Sequence, residues 1–406
     1  MNFIDRFLAL TGHSRSPLLF RKWTAISMIA SAMGRGVHTV ISEPDGPIYP
    51  NFYIILVGPP GMGKSIGSVN GRRIVKRVPS ISTGPDKITP ERLVSKLTQM
   101  TKEQDRAVMA LFIDELSVLL QRKGDFDLTP ILTGAYNCPE EFIYETESKQ
   151  EQRLANCCLN ILATTQPAYI AEKFTISDLG QGFPSRLFFI YSDQAVPPTY
   201  FGTYSNEKPH MSELVKALTE TEMFKGAVKW SSAAQQLFVK LTDAKIPPIP
   251  TAPHLEHYCS RRDLHLTKLS LVMMRARNPR AMELEREDIE RALETMLEAE
   301  TVMPLALSAI GGNQFRVAQN YLISYVHKQM AVGHPSTFPA TELYQLLTAN
   351  LQPRESKEML DSLVAQGLCE AVGDNPKSTG YNFNRKRIDA QIRVAQETPK
   401  TESKVH

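Results

Sequence analysis

Residues 51–78, NFYIILVGPPGMGKSIGSVNGRRIVKRV, decide the fold. Asn51 to Val57 is rich in β-branched and aromatic side chains, the composition of a short buried strand. It runs straight into Gly58-Pro-Pro-Gly-Met-Gly-Lys64-Ser65, a complete G-x-x-x-x-G-K-[ST] pattern. Ser65 to Val78 has no internal proline and reads as a helix. In that order, strand, loop and helix make loop amides and the positive helix end converge on phosphates. Gly58, Gly61 and Gly63 let the backbone approach an anion with no side chain in the way. Lys64 is expected to reach the β- and γ-phosphates, and the Ser65 hydroxyl to ligate Mg²⁺. Gly58, Gly61, Gly63, Lys64, Ser65 and Ile66 are therefore the expected contacts of a nucleoside triphosphate, with ATP and Mg²⁺ as cofactors.

About 50 residues downstream, Ala107 to Ile113 reads as a second apolar strand and ends in Asp114-Glu115. An apolar strand closing on two acids is the expected other half of an ATPase site. Asp114 would hold the Mg²⁺ shell and Glu115 would polarise the attacking water. Phe142 to Cys158 reads as two strands around a polar turn near Ser148 to Glu151, with Lys149 at the tip of the hairpin and Arg153 nearby. Leu159 to Ala163 is a further strand, followed by Thr164-Thr165-Gln166-Pro167. Thr164, Thr165 and Gln166 all qualify as sensors of the γ-phosphate, with Gln166 entered among the catalytic candidates. Gln166 could equally cap a turn before Pro167. Arg186 stands just before the strand Leu187 to Tyr191, a position from which an arginine can reach into a neighbouring subunit's nucleotide site. A surface or internally salt-bridged arginine is the plainer alternative.

The totals bound what surrounds this core. With 406 residues the chain is long enough for two or three domains. A content of 42% hydrophobic and 22% charged residues excludes wholesale disorder. The net charge of +3 requires any nucleic-acid contact to come from local patches. Five cysteines without CxxC spacing fit reduced thiols in a cytosol. Asp5 and Arg6 argue against a signal peptide, and no apolar run reaches the length of a membrane span. The expectation is a soluble cytoplasmic protein with no membrane partner.

The expected organisation is a helical N-terminal segment (1–45), an α/β ATPase core (46–200), a helical lid-like region (201–310), a winged helix (311–384) and a disordered tail (385–406). In the first segment, residues 2–15 and Pro17 to Met33 read as helices. In the lid-like region, His254 to Arg277 reads as one helix that points Arg261, His265 and Lys268 at nucleotide. His254, His257, Cys259 and His265 match no standard zinc spacing. Beyond Gly312, helices over 314–330, 339–350 and 353–366 precede strands over 368–372 and 380–383. Three helices and a β-ribbon make a winged helix, with Pro353 to Gln366 as recognition helix. Lys357 on that helix and Lys377 in the wing are the expected DNA contacts. Glu355, Glu358 and Asp361 share the helix, and winged helices also dock proteins.

Several stretches together resemble one family: PLLFRKWTAISMIASAMGR, PNFYIILVGPPGMGKS, ALFIDELS, the hairpin before LNILATTQP, and GFPSRLFFIY. They are similar to the P-loop ATPases of phages, prophages and other mobile elements that serve as replicative helicases or as the helicase part of primase-helicases. The likeness spans approximately residues 1–300. It implies an AAA+/RecA-like hexameric motor, with Lys149 on a DNA-contacting hairpin in a central channel and Arg186 acting in trans. The 406 residues show no primase domain or zinc module, so the resemblance leaves primer synthesis to another protein. The leading expectation is a ring-forming ATP-dependent helicase or translocase on single-stranded or forked DNA. A non-translocating switch, such as a helicase loader or initiator working with a partner protein, is the alternative. A DNA-free defence or regulatory ATPase is the third.

Overall fold

The computed structural model describes the chain except for residues 121–126, 147–148, 175–177, 179–181, 198–206, 251–254, 308–312, 349–352, 374–379 and 390–406. In chain order, the elements that build the first unit begin with helices α1 (Phe3–Leu10) and α2 (Leu18–Met33) and the short strand β1 (Val37–His38). Next come β2 (Tyr53–Val57), α3 (Lys64–Val75), α4 (Pro90–Gln104) and β3 (Val108–Ile113). Short helices α5 (Leu116–Leu119) and α6 (Thr129–Ala135) precede a hairpin of β4 (Glu141–Thr146) and β5 (Lys149–Ala155). Strand β6 (Cys158–Thr165), helix α7 (Pro167–Lys173) and strand β7 (Leu187–Tyr191) complete the series.

Strands β2, β3, β6 and β7 form one sheet in the order β3-β6-β2-β7, and every pairing is parallel. Their near-continuous apolar sequences follow from this, because helices cover both faces of a parallel sheet. Tyr53 lies level with Ile161 and Leu187, and Val57 level with Thr165 and Tyr191. The C-terminal ends of all four strands therefore gather at one edge, and their N-terminal ends at the other. Asn160 ties the layers together: its side chain accepts from Phe52 N (3.0 Å) and donates to Ala30 O (3.1 Å). Helix α2 is buried along most of its length, and α3 packs on it through small residues. A Cβ on Gly71 would lie 2.4 Å from Thr24 Cγ2 of α2, so a larger residue there would force the two helices to shift.

The first compact unit is Met1–Ile310. Its single hydrophobic core takes in α1, α2, the sheet and the later helices Glu207–Met223, Ser232–Asp243, Arg262–Arg277 and Arg286–Leu307. Val37 and His38 pair in parallel with Gly226 and Ala227, and Lys229 and Trp230 with Glu283 and Leu284. The N-terminal helices, the sheet and the helical region after it are thus woven into one body.

Gly311–His406 is the second unit, with its own core around Leu322, Phe338, Leu343, Leu360 and Phe383. It contains helices Asn313–Ala331, Ala340–Thr348 and Pro353–Ala365. Its antiparallel sheet places Gly380–Phe383 between Thr337–Pro339 and Cys369–Val372. Gly367, at φ +66°, turns the chain from the last helix into the sheet.

Three expectations need correction. The segment read as one helix from His254 is two helices, Glu256–Cys259 and Arg262–Arg277, broken at Ser260-Arg261. The face carrying His265 and Lys268 points into the core: both are buried, His265 between the rings of Phe188 and Tyr258. The tail does not become irregular at Arg385. Residues 385–389 form a helical turn that buries Ile388 in the second core, opened by Asn384 Oδ1 accepting from Arg387 N (3.3 Å). The remainder of the tail, 390–406, and Lys377 lie outside the described residues.

Candidate functional site

β2 delivers its chain into the loop Gly58 to Gly63 at the C-terminal edge of the sheet, where Gly58 N donates to Thr165 O (3.3 Å). Gly61 and Gly63 have φ of +82° and +67°, the left-handed region that glycine enters without strain. Gly63 is also the N-cap of α3, and a Cβ there would lie 2.8 Å from Arg15 O. The chain just before α2 therefore braces the loop from behind. Arg21 holds that brace in shape, donating to Ser16 O (3.0 Å), Thr11 O (3.1 Å) and Leu8 O (3.2 Å).

Lys64 opens α3 and folds back over the loop, donating to Gly58 O (2.6 Å) and Pro59 O (2.7 Å). Burial lowers its pKa, and the nearby Glu115 carboxylate partly offsets that. Ser65 and Ile66 on the first turn are exposed, Ile66 by 40% despite its apolar side chain. Helix N-terminus, ammonium and glycine loop together gather positive potential at this edge.

The acids arrive at the same edge on β3. Asp114 follows Ile113, which lies level with Ala163 on β6, so Asp114 and Glu115 stand beside Thr164 and Thr165. Thr165 Oγ1 donates to Glu115 Oε1 (3.2 Å), and Thr164 Oγ1 donates to Asp114 O (2.5 Å). Both threonines are buried; the first bond orients the Glu115 carboxylate, and the second holds the Asp114 backbone. Gln166 comes one residue later, exposed, as the N-cap of α7 without a side-chain capping bond. The structure thus brings Lys64, Ser65, Asp114, Glu115, Thr164 and Thr165 to one edge.

Arg186 belongs to the opposite edge. It immediately precedes Leu187, which lies level with Tyr53, whereas the loop starts beyond Val57. Along β7 that is about 20 Å from Arg186 to the level of Gly58, at roughly 3.3 Å per residue. Arg186 therefore cannot touch its own chain's glycine loop. The hairpin β4–β5 leaves the sheet at this second edge, because it enters β6 at Cys158. The expected turn from Ser148 to Glu151 with Lys149 at its tip is corrected: Lys149 already begins β5 and pairs with Thr146, so it stands in the ladder. Arg153 lies further down the same strand, bonded to Glu141 and 3.9 Å from Asp105. In the second unit, Lys357 is exposed on helix Pro353–Ala365 beside exposed Glu358 and Asp361.

Sequence reasoning missed the brace formed by Arg15 and Ser16 against the glycine loop, since nothing in HSRSP marks a contact 48 residues away. No family model matches this sequence, and no curated protein matches it. Among the described residues, no helix is long and apolar enough to cross a membrane.

Proposed function

We propose that the chain is a P-loop NTPase that binds and hydrolyses ATP at the C-terminal edge of its sheet. The observation that carries this is the convergence of Lys64 at a glycine-capped helix start with Glu115, held by Thr165, on the neighbouring strands. Loop amides and Lys64 would hold the β- and γ-phosphates, releasing Lys64 from Gly58 O and Pro59 O as they arrive. Glu115, oriented by Thr165, would align and polarise the attacking water. Ser65 and Asp114 offer only oxygen donors, both are exposed, and both stand at this edge, which fits a hard cation such as Mg²⁺. Bound there, Mg²⁺ would neutralise phosphate charge. Arg186, too far from its own loop, would complete the site of a neighbouring subunit in trans.

The reading extends to an AAA+/RecA-like ring, a hexamer that moves on single-stranded or forked DNA. Its support is the family resemblance and the hairpin leaving the sheet at the Arg186 edge, with Lys149 beside its turn. Arg153 is already engaged by Glu141, so Lys149 is the better candidate for gripping phosphates. The second unit, with three helices and a three-stranded antiparallel sheet, would be a winged helix. Exposed Glu358 and Asp361 beside Lys357 favour a protein partner for that helix, which supports the loader or initiator alternative. A separate primase or initiator would be the partner.

Steady-state ATP hydrolysis with and without single-stranded DNA separates these readings. A translocase predicts DNA-stimulated turnover and strand separation, both lost in Lys149→Ala while basal turnover survives. Turnover indifferent to DNA would contradict the translocase, and binding of a second ATPase in that case would establish the loader.

A further inference from the structure

Two arginines meet at the sheet edge opposite the glycine loop. Arg186 is only 7% exposed; one of its terminal nitrogens donates to Gly182 O, and its Nε is buried with no partner. Arg261 caps helix Arg262–Arg277, half-buried, and its Nε donates to Ser185 Oγ at 2.9 Å. Adjacent residues at the foot of β7 therefore hold one guanidinium each. Among the described residues, no carboxylate lies within ion-pair distance of either. Burial first, and then Arg261, lower the Arg186 pKa. A third cation stands behind them: Lys268 Nζ lies 3.9 Å from the centre of the Tyr136 ring and 2.6 Å from Asn51 Oδ1. The Tyr136 hydroxyl is itself buried without a partner.

Like charges drawn out of water without a counterion are costly, and a desolvated guanidinium with an idle N–H is prepared for an anion. Arginine forks match phosphate oxygens in pairs. The anion cannot come from the chain's own nucleotide, because strand register separates the two edges. We propose that Arg186 and Arg261 together form an anion site for the terminal phosphates of a nucleoside triphosphate bound to a second copy of this chain. Arg261 is the new member: a second arginine that contacts the neighbour's nucleotide, aimed by Ser185. The proposal rests on the ATPase reading above.

Subunit mixing tests it. Lys64→Ala removes the nucleotide from a subunit but leaves both arginines to serve its neighbour. Arg261→Gln keeps the glycine loop but removes the second arginine, and should bind a fluorescent ATP analogue while hydrolysing ATP about tenfold or more slowly than wild type. Arg261→Lys, which keeps the charge but not the fork, replaces it if the glutamine variant does not fold. Co-expressed Lys64→Ala and Arg261→Gln chains should hydrolyse ATP well above the sum of either alone, because intact loops then face intact arginine pairs. Full activity of Arg261→Gln alone would overturn the proposal. So would a mixture with no gain while both chains are folded and Arg261→Gln still binds the analogue. Stabilisation of wild type, but not Arg261→Gln, by inorganic phosphate with an inactive mixture would replace it with a free-anion site. A wild-type chain that fails to bind the analogue would instead remove the underlying nucleotide reading.

Discussion

On the proposed ATPase reading Lys64, Glu115 and Gly63 would carry separable duties, and single substitutions should separate them. Lys64→Ala should abolish binding of an ATP analogue, because it removes the ammonium that folds over the glycine loop. Glu115→Gln should retain binding yet lose about 100-fold or more of turnover, the scale of a positioned general base. Single-turnover hydrolysis beside equilibrium binding reads both. Gly63→Ala places a methyl group against Arg15 O and forces a left-handed φ on an L-residue. It should cost about 1–2 kcal/mol or more in a denaturant titration and weaken nucleotide binding. Gly63 and Lys64 were legible in sequence because their motif is contiguous and chemically specific, and Glu115 because it closes an apolar strand. The bond from Thr165 to Glu115 was not legible, since folding alone brings those two residues together.

Helix Arg262–Arg277 shows where element-level reading stopped. Charged residues on a helix ordinarily mark its solvent face, yet Arg262, Lys268 and Arg275 are all buried here. Their partners are remote: Arg262 makes a bidentate pair with Glu300 (2.7 and 2.8 Å) and bonds Lys245 O and Pro248 O, both at 3.0 Å. Lys268 reaches Asn51, and Arg275 reaches Phe224 O. No local pattern encodes such pairings. The parallel strands were legible because each is a continuous apolar run, whereas Thr337–Pro339 is three residues long, and only its Pro339 entered the reading, as the start of a helix. Arg262→Ala should destabilise the first unit by about 3–5 kcal/mol, because Glu300 would stay buried without its partner. Burial brings Lys268 down to about 8, whereas an unfolded lysine titrates near 10.4. Between those values the unfolded chain holds more protons, so stability rises with pH. Relative to Lys268→Met, wild type should gain stability from pH 8 to 10, by at most about 3 kcal/mol in denaturant midpoints converted to free energy.

At the scale of the whole molecule, the sheet separates two tasks by its two edges. The C-terminal edge gathers the glycine loop and the acids, and the N-terminal edge gathers Arg186, Arg261 and the hairpin. Subunits stacked edge to edge would join the two halves of each hydrolytic site, which is why oligomerisation and turnover should rise together with protein concentration. The second unit has its own core, so a chain ending at Ile310 should remain folded and keep basal turnover. Loss of DNA- or partner-dependent stimulation in that truncated chain would assign the stimulation to the second unit. The most direct test of the central claim is ATP hydrolysis by purified wild type, Lys64→Ala and Glu115→Gln, with analogue binding followed in parallel. Turnover is expected of wild type alone, and binding of wild type and Glu115→Gln but not of Lys64→Ala. Equal turnover in all three proteins, or binding unaffected by Lys64→Ala, would contradict it.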